Sequence, residues 1–167
     1  MLKDAGCRQV AIGCEGGTDT QLRKIGKDEK CSDIKRTLIS LRKAKIETQC
    51  YWVIGLPGDN LTAVKKTQAK IMEYLKQDLT TLPHITVLVP YPNTQVNEQP
   101  KRFGIDILHH DWDHYWMNCD PFGCDVPAYD TVLRGKTLLH STDIYDLWLE
   151  TIEMVADFCE NSASNSP

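Results

Sequence analysis

Three apolar runs, each closed by glycine, proline or a carboxylate, constrain this chain more than any other feature. They are Val10-Ala11-Ile12-Gly13-Cys14-Glu15-Gly16-Gly17, Tyr51-Trp52-Val53-Ile54-Gly55-Leu56-Pro57-Gly58-Asp59 and Ile85-Thr86-Val87-Leu88-Val89-Pro90-Tyr91-Pro92. The stretches between them are long enough for helices. Strands that alternate with helices in this way build a parallel sheet, and such sheets take ligands at the carboxyl ends of their strands. A sheet of so few strands has open edges that invite pairing with further strands. The pattern predicts part of an α/β enzyme rather than a whole one.

Composition narrows the class. A chain of 167 residues, 41% hydrophobic and 25% charged, matches one globular domain. Its net charge of −4 offers no general footprint for nucleic acid or an anionic membrane. No basic segment leading into an apolar stretch opens the chain and no run approaches the length of a membrane span, so a cytoplasmic location is expected. The seven cysteines are odd in number and lack the paired or clustered spacing of zinc and iron–sulfur motifs. Free thiols are therefore expected.

Met1 to Gly6 reads as the last turn of a helix closing at glycine, an unusual start that suggests truncation. Thr18 with Gln21 predicts a capping box, followed by a short helix with Leu22 and Ile25 inward. Ser32 is expected to cap the next helix, where Ile34, Leu38 and Leu41 recur at helical spacing. The second strand, Thr48 to Ile54, is almost continuous in bulky or β-branched residues, the pattern of a strand covered on both faces. Asp59 or Asn60 then caps a helix carrying Leu61, Val64, Ile71 and Leu75, and a third strand, His84 to Val89, closes the unit. Periodicity fails from Pro100 to His140. It returns in a final helix opened by Ser141 or Thr142, with Ile144, Leu147, Trp148, Val155 and Phe158 on one stripe. The expected organisation is residues 1–99 as the α/β part, 100–140 as an irregular extension, 141–160 as a helix and 161–167 as a disordered tail.

Taken together, the three strand ends resemble the second half of the radical S-adenosylmethionine (SAM) enzymes. Gly13-Cys14-Glu15-Gly16-Gly17, with Lys27 downstream, is similar to the family's fourth-strand signature, a Gly-x-Glu-Ser stretch followed by a basic residue. Val53-Ile54-Gly55-Leu56-Pro57-Gly58-Asp59 resembles its fifth-strand glycine motif, and Val89-Pro90-Tyr91-Pro92-Asn93-Thr94 its sixth-strand Pro-Tyr-Pro-Gly-Thr. Phe103-Gly104-Ile105 through Asp111-Trp112-Asp113-His114-Tyr115 is similar, more weakly, to the post-barrel segment of the cobalamin-dependent branch. The resemblance implies a partial (β/α) barrel of three parallel strands with crossover helices, then the extension and the last helix. It implies a SAM pocket that draws on Gly13, Glu15, Gly16, Lys27, Ile54, Gly55, Val89 and Tyr91.

Two departures limit what the resemblance carries. The family's three-cysteine motif, which ligates a 4Fe-4S cluster and through it SAM, is absent. This chain alone is therefore not expected to start radical chemistry, and no catalytic residue is assigned. Gly16 and Asn93 also stand where the family often has serine and glycine. From the residues alone, Glu15 reads either as a ligand acceptor at a barrel mouth or as a solvated acid paired with Lys27, and Lys27 as a carboxylate partner or a solvated charge. Ile54 and Val89 read equally as adenine contacts or as plain core. His110 and His114 would share a helical face, but no third ligand is fixed, and no metal site is assigned.

The expected function is thus one half of a radical SAM enzyme, its cluster bound outside this chain and its barrel completed by a missing amino-terminal half or a partner subunit. The substrate, small molecule or peptide, is not legible, and cobalamin stays an open alternative. A second reading is non-catalytic: a half-barrel that pairs with a partner chain, or a degenerate remnant.

Overall fold

The computed structural model of the protein describes residues 1–110 and 127–164. Its elements run β1 (Gln9–Glu15), α1 (Asp19–Lys24), α2 (Cys31–Lys43), β2 (Glu47–Ile54), α3 (Leu61–Lys76) and β3 (Leu82–Val87). Two short turns of helix follow, α4 (Gln95–Glu98) and α5 (Pro100–Phe103), then β4 (Ile105–Ile107), β5 (Tyr129–Leu133), β6 (Lys136–Leu139) and α6 (Ser141–Ser164).

β1, β2 and β3 pair in that order as a parallel sheet, with Ile12 opposite Cys50 and Trp52 opposite Ile85. The described strands form no closed barrel. β2 alternates strictly: Thr48, Cys50, Trp52 and Ile54 are buried, while Gln49, Tyr51 and Val53 are only half-buried. The expectation that this strand is covered on both faces is corrected, because period-2 burial marks a strand with one covered side. The covered side packs against α2 and α3, where Ile34, Leu38, Val64, Ile71 and Tyr74 join the sheet residues in one core. The Trp52 and Tyr74 rings lie 5.6 Å apart, and each ring buried there contributes about 2 kcal/mol. α6 extends the same layer: its Trp148 indole N–H donates to the Ile85 carbonyl at 3.0 Å, and Gln68 of α3 donates to Thr151 at 3.0 Å.

Local chemistry explains where the elements start. Asn60 caps α3 by accepting from the Ala63 N–H at 2.9 Å, which frees Asp59 for another role. α2 opens at Lys30 rather than Ser32, because the Asp19 carboxylate takes the Cys31 N–H at 2.8 Å and Asp33 takes the Lys30 N–H at 3.1 Å. The hydrogen bonds from Cys31 hold the Asp19 carboxyl below its ordinary range. Thr18 does cap α1, but the Gln21 side chain accepts from the Thr18 hydroxyl at 2.9 Å and sends its amide nitrogen into the core, leaving half a capping box.

The largest departure lies in residues 100–140. There β4, β5 and β6 form a second, antiparallel three-stranded sheet, with Ile105 opposite Thr131 and Thr131 opposite Leu139. The strands are short, of three to five residues, which defeats a periodicity argument. β5 and β6 turn through Arg134 and Gly135, both at positive φ, as a two-residue hairpin requires. α6 also continues to Ser164, so the expected tail begins as helix.

Candidate functional site

The three strand ends diverge in character. At the end of β1 the backbone bends: register shifts between Gly13 and Glu15, and Glu15 sits at φ +59°, a left-handed conformation that costs a side-chain-bearing residue of order 1 kcal/mol or more. Its carboxylate folds back over Gly13, where a Cβ would collide with it. Lys27 completes the group, its ammonium 3.3 Å from Glu15 Oε1 and donating to the Gly13 carbonyl. Both side chains are roughly a quarter exposed, at 26% and 29%. The structure thus brings Gly13, Glu15 and Lys27 together as a half-open charged rim.

Gly16 adjoins this rim but faces inward. A Cβ there would meet Gln21 at 2.9 Å and Leu56 at 3.0 Å, so packing leaves no room for the serine of the family pattern. Behind it lies a buried polar cluster that the sequence reading missed. The Gln21 amide donates to both Asp59 carboxylate oxygens, at 3.1 and 3.0 Å, and to Thr67 at 3.2 Å, while the Leu56 N–H donates to Asp59 at 3.1 Å. Burial pushes the Asp59 carboxyl up to about 7, against these hydrogen bonds and the Lys24 charge, which pull it down. Its position directly after Gly-Leu-Pro-Gly was the available signal.

The second strand end is closed. Ile54 and Gly55 are buried, and what approaches Gly55 is protein: a Cβ there would lie 2.7 Å from both the Tyr129 hydroxyl and Ile144. Tyr129 donates to the Gly55 carbonyl at 2.7 Å, and Thr131 donates to the Asp59 carbonyl at 2.7 Å. β5 therefore clamps the turn from end to end. Neither contact was legible, because β5 lies 74 residues beyond Gly55. Gly55 needs its positive φ of +78° for the turn itself.

The third end departs from the expected strand, since β3 stops at Val87 and Val89 and Tyr91 follow in loop. Val89 is half-buried against the core and Tyr91 is 41% exposed. Asn93, in the family's glycine position, adopts φ +65°, which asparagine tolerates better than other side chains. On the half-buried face of the sheet, the Tyr51 and His84 rings meet at a tilt of 43° with centroids 4.7 Å apart, beside Gln49, Val53 and Thr86. The period-2 alternation of β2 and β3 could have identified this polar, aromatic face.

Cys7, Cys14, Cys31, Cys50 and Cys159 are free thiols, and burial pushes Cys31 up to about 11, so it is unreactive near neutrality. Among the described residues no three His, Cys, Asp or Glu side chains converge as metal ligands. His114, Cys119, Cys124 and the aromatic stretch around Trp112 lie outside the described residues. No described helix is long and apolar enough to cross a membrane.

No family model matches the chain. Over 69 residues, 40% of its length, it is 38% identical to Uncharacterized protein MK0932 of Methanopyrus kandleri. Over 69 residues it is also 29% identical to Uncharacterized protein MJ1620 of Methanocaldococcus jannaschii. The matched stretches span only 13% and 14% of those two proteins' lengths.

Proposed function

We propose that this chain supplies the carboxyl-terminal half of a radical SAM-type barrel, contributing part of the SAM pocket and the substrate side. The observation that carries the reading is the one-sidedness of the parallel sheet. Its helix face is a complete core, whereas its other face is half-buried and lined by Gln49, Tyr51, His84 and Thr86. Parallel sheets occur almost only with both faces covered, so a half-buried face of this kind calls for further structure, as the completed barrel would supply. β1 is an edge strand of this sheet, flanked by a groove of about 390 Å³ lined by Leu2, Ile12, Gly13, Ile34 and Leu41. A preceding strand and helix from the missing half would occupy that edge and groove.

The donor set at the rim fits the amino-acid end of SAM. Glu15 would accept from its amino group or a ribose hydroxyl, and Lys27 would pair with its carboxylate. Ile54 and Gly55, held under Tyr129 and Ile144, support the pocket rather than line it. Val89 and Tyr91 stand at the far strand end as apolar contacts. The chemistry of the completed assembly is one-electron cleavage of SAM, supplied by a 4Fe-4S cluster held outside this chain. The free thiols suit a reducing, cytoplasmic setting.

The test is thermal unfolding of the chain against increasing SAM. A binding-competent half gains stability by mass action, about 2.7 kcal/mol when SAM stands at a hundred times its dissociation constant. A melting temperature unmoved by SAM, both alone and with a co-expressed segment carrying a three-cysteine motif, would exclude the proposal.

A further inference from the structure

A second feature lies on the other side of the Gly-Leu-Pro-Gly turn and does not depend on the SAM reading. Between Gly58, α5 and the β5–β6 hairpin is a cleft of about 510 Å³, within the range of small-molecule sites. Four cations line it, Lys24, Lys101, Arg102 and Arg134, against a single carboxylate, Asp106. That is a local reversal of sign on a chain whose net charge is −4.

The cations are mounted on fixed points. Arg134 occupies a two-residue turn with both residues at positive φ, the tightest connection two strands accept. Lys101 and Arg102 stand on α5, whose closing residue Gly104 is pressed so near its neighbours that a Cβ would lie 2.8 Å from the Val132 carbonyl and 3.1 Å from the Gly58 Cα. Gly58 donates to the Gly104 carbonyl at 3.2 Å, tying α5 to the turn. Lys24 crosses to the Gly58 carbonyl at 3.0 Å. Phe103, Val132 and Leu133 add apolar wall beside the charges.

We infer that this cleft binds a phosphorylated small molecule, with the phosphate among Lys101, Arg102 and Arg134 and the organic part against Phe103 and Leu133. Guanidinium forks suit phosphate because they present two parallel donors to two oxygens. The partial enclosure and apolar wall favour a small organic phosphate over an extended polyanion, which needs a charged track rather than a cleft.

Isothermal titration of the full chain with pyrophosphate, and with AMP against adenosine, tests this. Saturable binding of pyrophosphate and AMP but not adenosine is expected, weakened about tenfold by Lys101→Gln and again by Arg134→Gln. Both side chains are exposed, so circular dichroism should report an unchanged fold, and Lys43→Gln on the far helix should leave affinity unchanged. The inference is overturned by absence of saturable heat, or by equal weakening from Lys43→Gln. It is equally overturned if single-stranded RNA or phosphatidylserine vesicles bind more tightly than AMP and displace it, since the surface would then serve a polyanion or a membrane.

Discussion

The ends of β1 and β2 look alike in sequence, glycine-rich turns with a carboxylate, yet they are built in opposite ways. The β1 end holds Glu15 and Lys27 in a partly exposed pair over Gly13, fastened by local contacts. The β2 end is buried, its Gly55 and Asp59 carbonyls taken by Tyr129 and Thr131 and its Asp59 carboxylate by Gln21. A glycine-rich strand end is thus not in itself a ligand site. In the second case it is the joint on which an antiparallel sheet and a long helix are hung, whereas the first carries only a partly exposed ion pair.

The sharpest way to break this comparison is to add one methyl group at each end. Gly55→Ala forces a Cβ into the Tyr129 hydroxyl and Ile144 at a φ of +78°, and both neighbours are held in the core. We expect a loss of about 3 kcal/mol or more, read as a fall in the urea midpoint. Gly13→Ala meets only the far ends of Glu15 and Lys27, which can swing aside, so about 1 kcal/mol or less is expected. Equal losses would mean that the rim is as structural as the joint.

Asp59 offers the next test. Its carboxyl titrates near 7 when folded and near its ordinary 3.8 when unfolded, so between those values the native state binds more protons. Stability from this group is therefore fully present at low pH and is lost as pH rises through about 7. Asp59→Asn should cost about 1–3 kcal/mol at pH 5 through imperfect pairing with Gln21 and Leu56. It should also flatten the decline between about pH 4 and 7, followed by urea unfolding. An unchanged slope would show that Asp59 is ionised throughout, and that its hydrogen bonds outweigh its burial.

The same contrast separates what was legible from what was not. Period and spacing located the three parallel strands, the crossover helices and the last helix, because each is long enough to show a repeat and is capped locally, as by Asn60. Glu15 and Lys27 were legible as a pair because they are close in sequence. The second sheet was not, since strands as short as Ile105–Ile107 carry no measurable period and pair across a long insertion. The role of Asp59 was hidden for a related reason: a carboxylate before a helix usually caps it, and only Gln21, brought by α1, and the Leu56 N–H draw it inward.

The smallest expected effect on stability falls on the residue most exposed to the functional claim. Glu15→Gln keeps the shape of the rim and removes one partly exposed charge pair, so a change of under about 1 kcal/mol is expected. It also removes the anionic acceptor for an amino group, so the rise in melting temperature with SAM should disappear while the melting temperature without SAM barely moves. A merely structural Glu15 would give the reverse, a lower baseline with the ligand response intact. The strained φ of +59° discriminates further. Glu15→Gly relieves that strain, so it should hold or raise stability while abolishing the response.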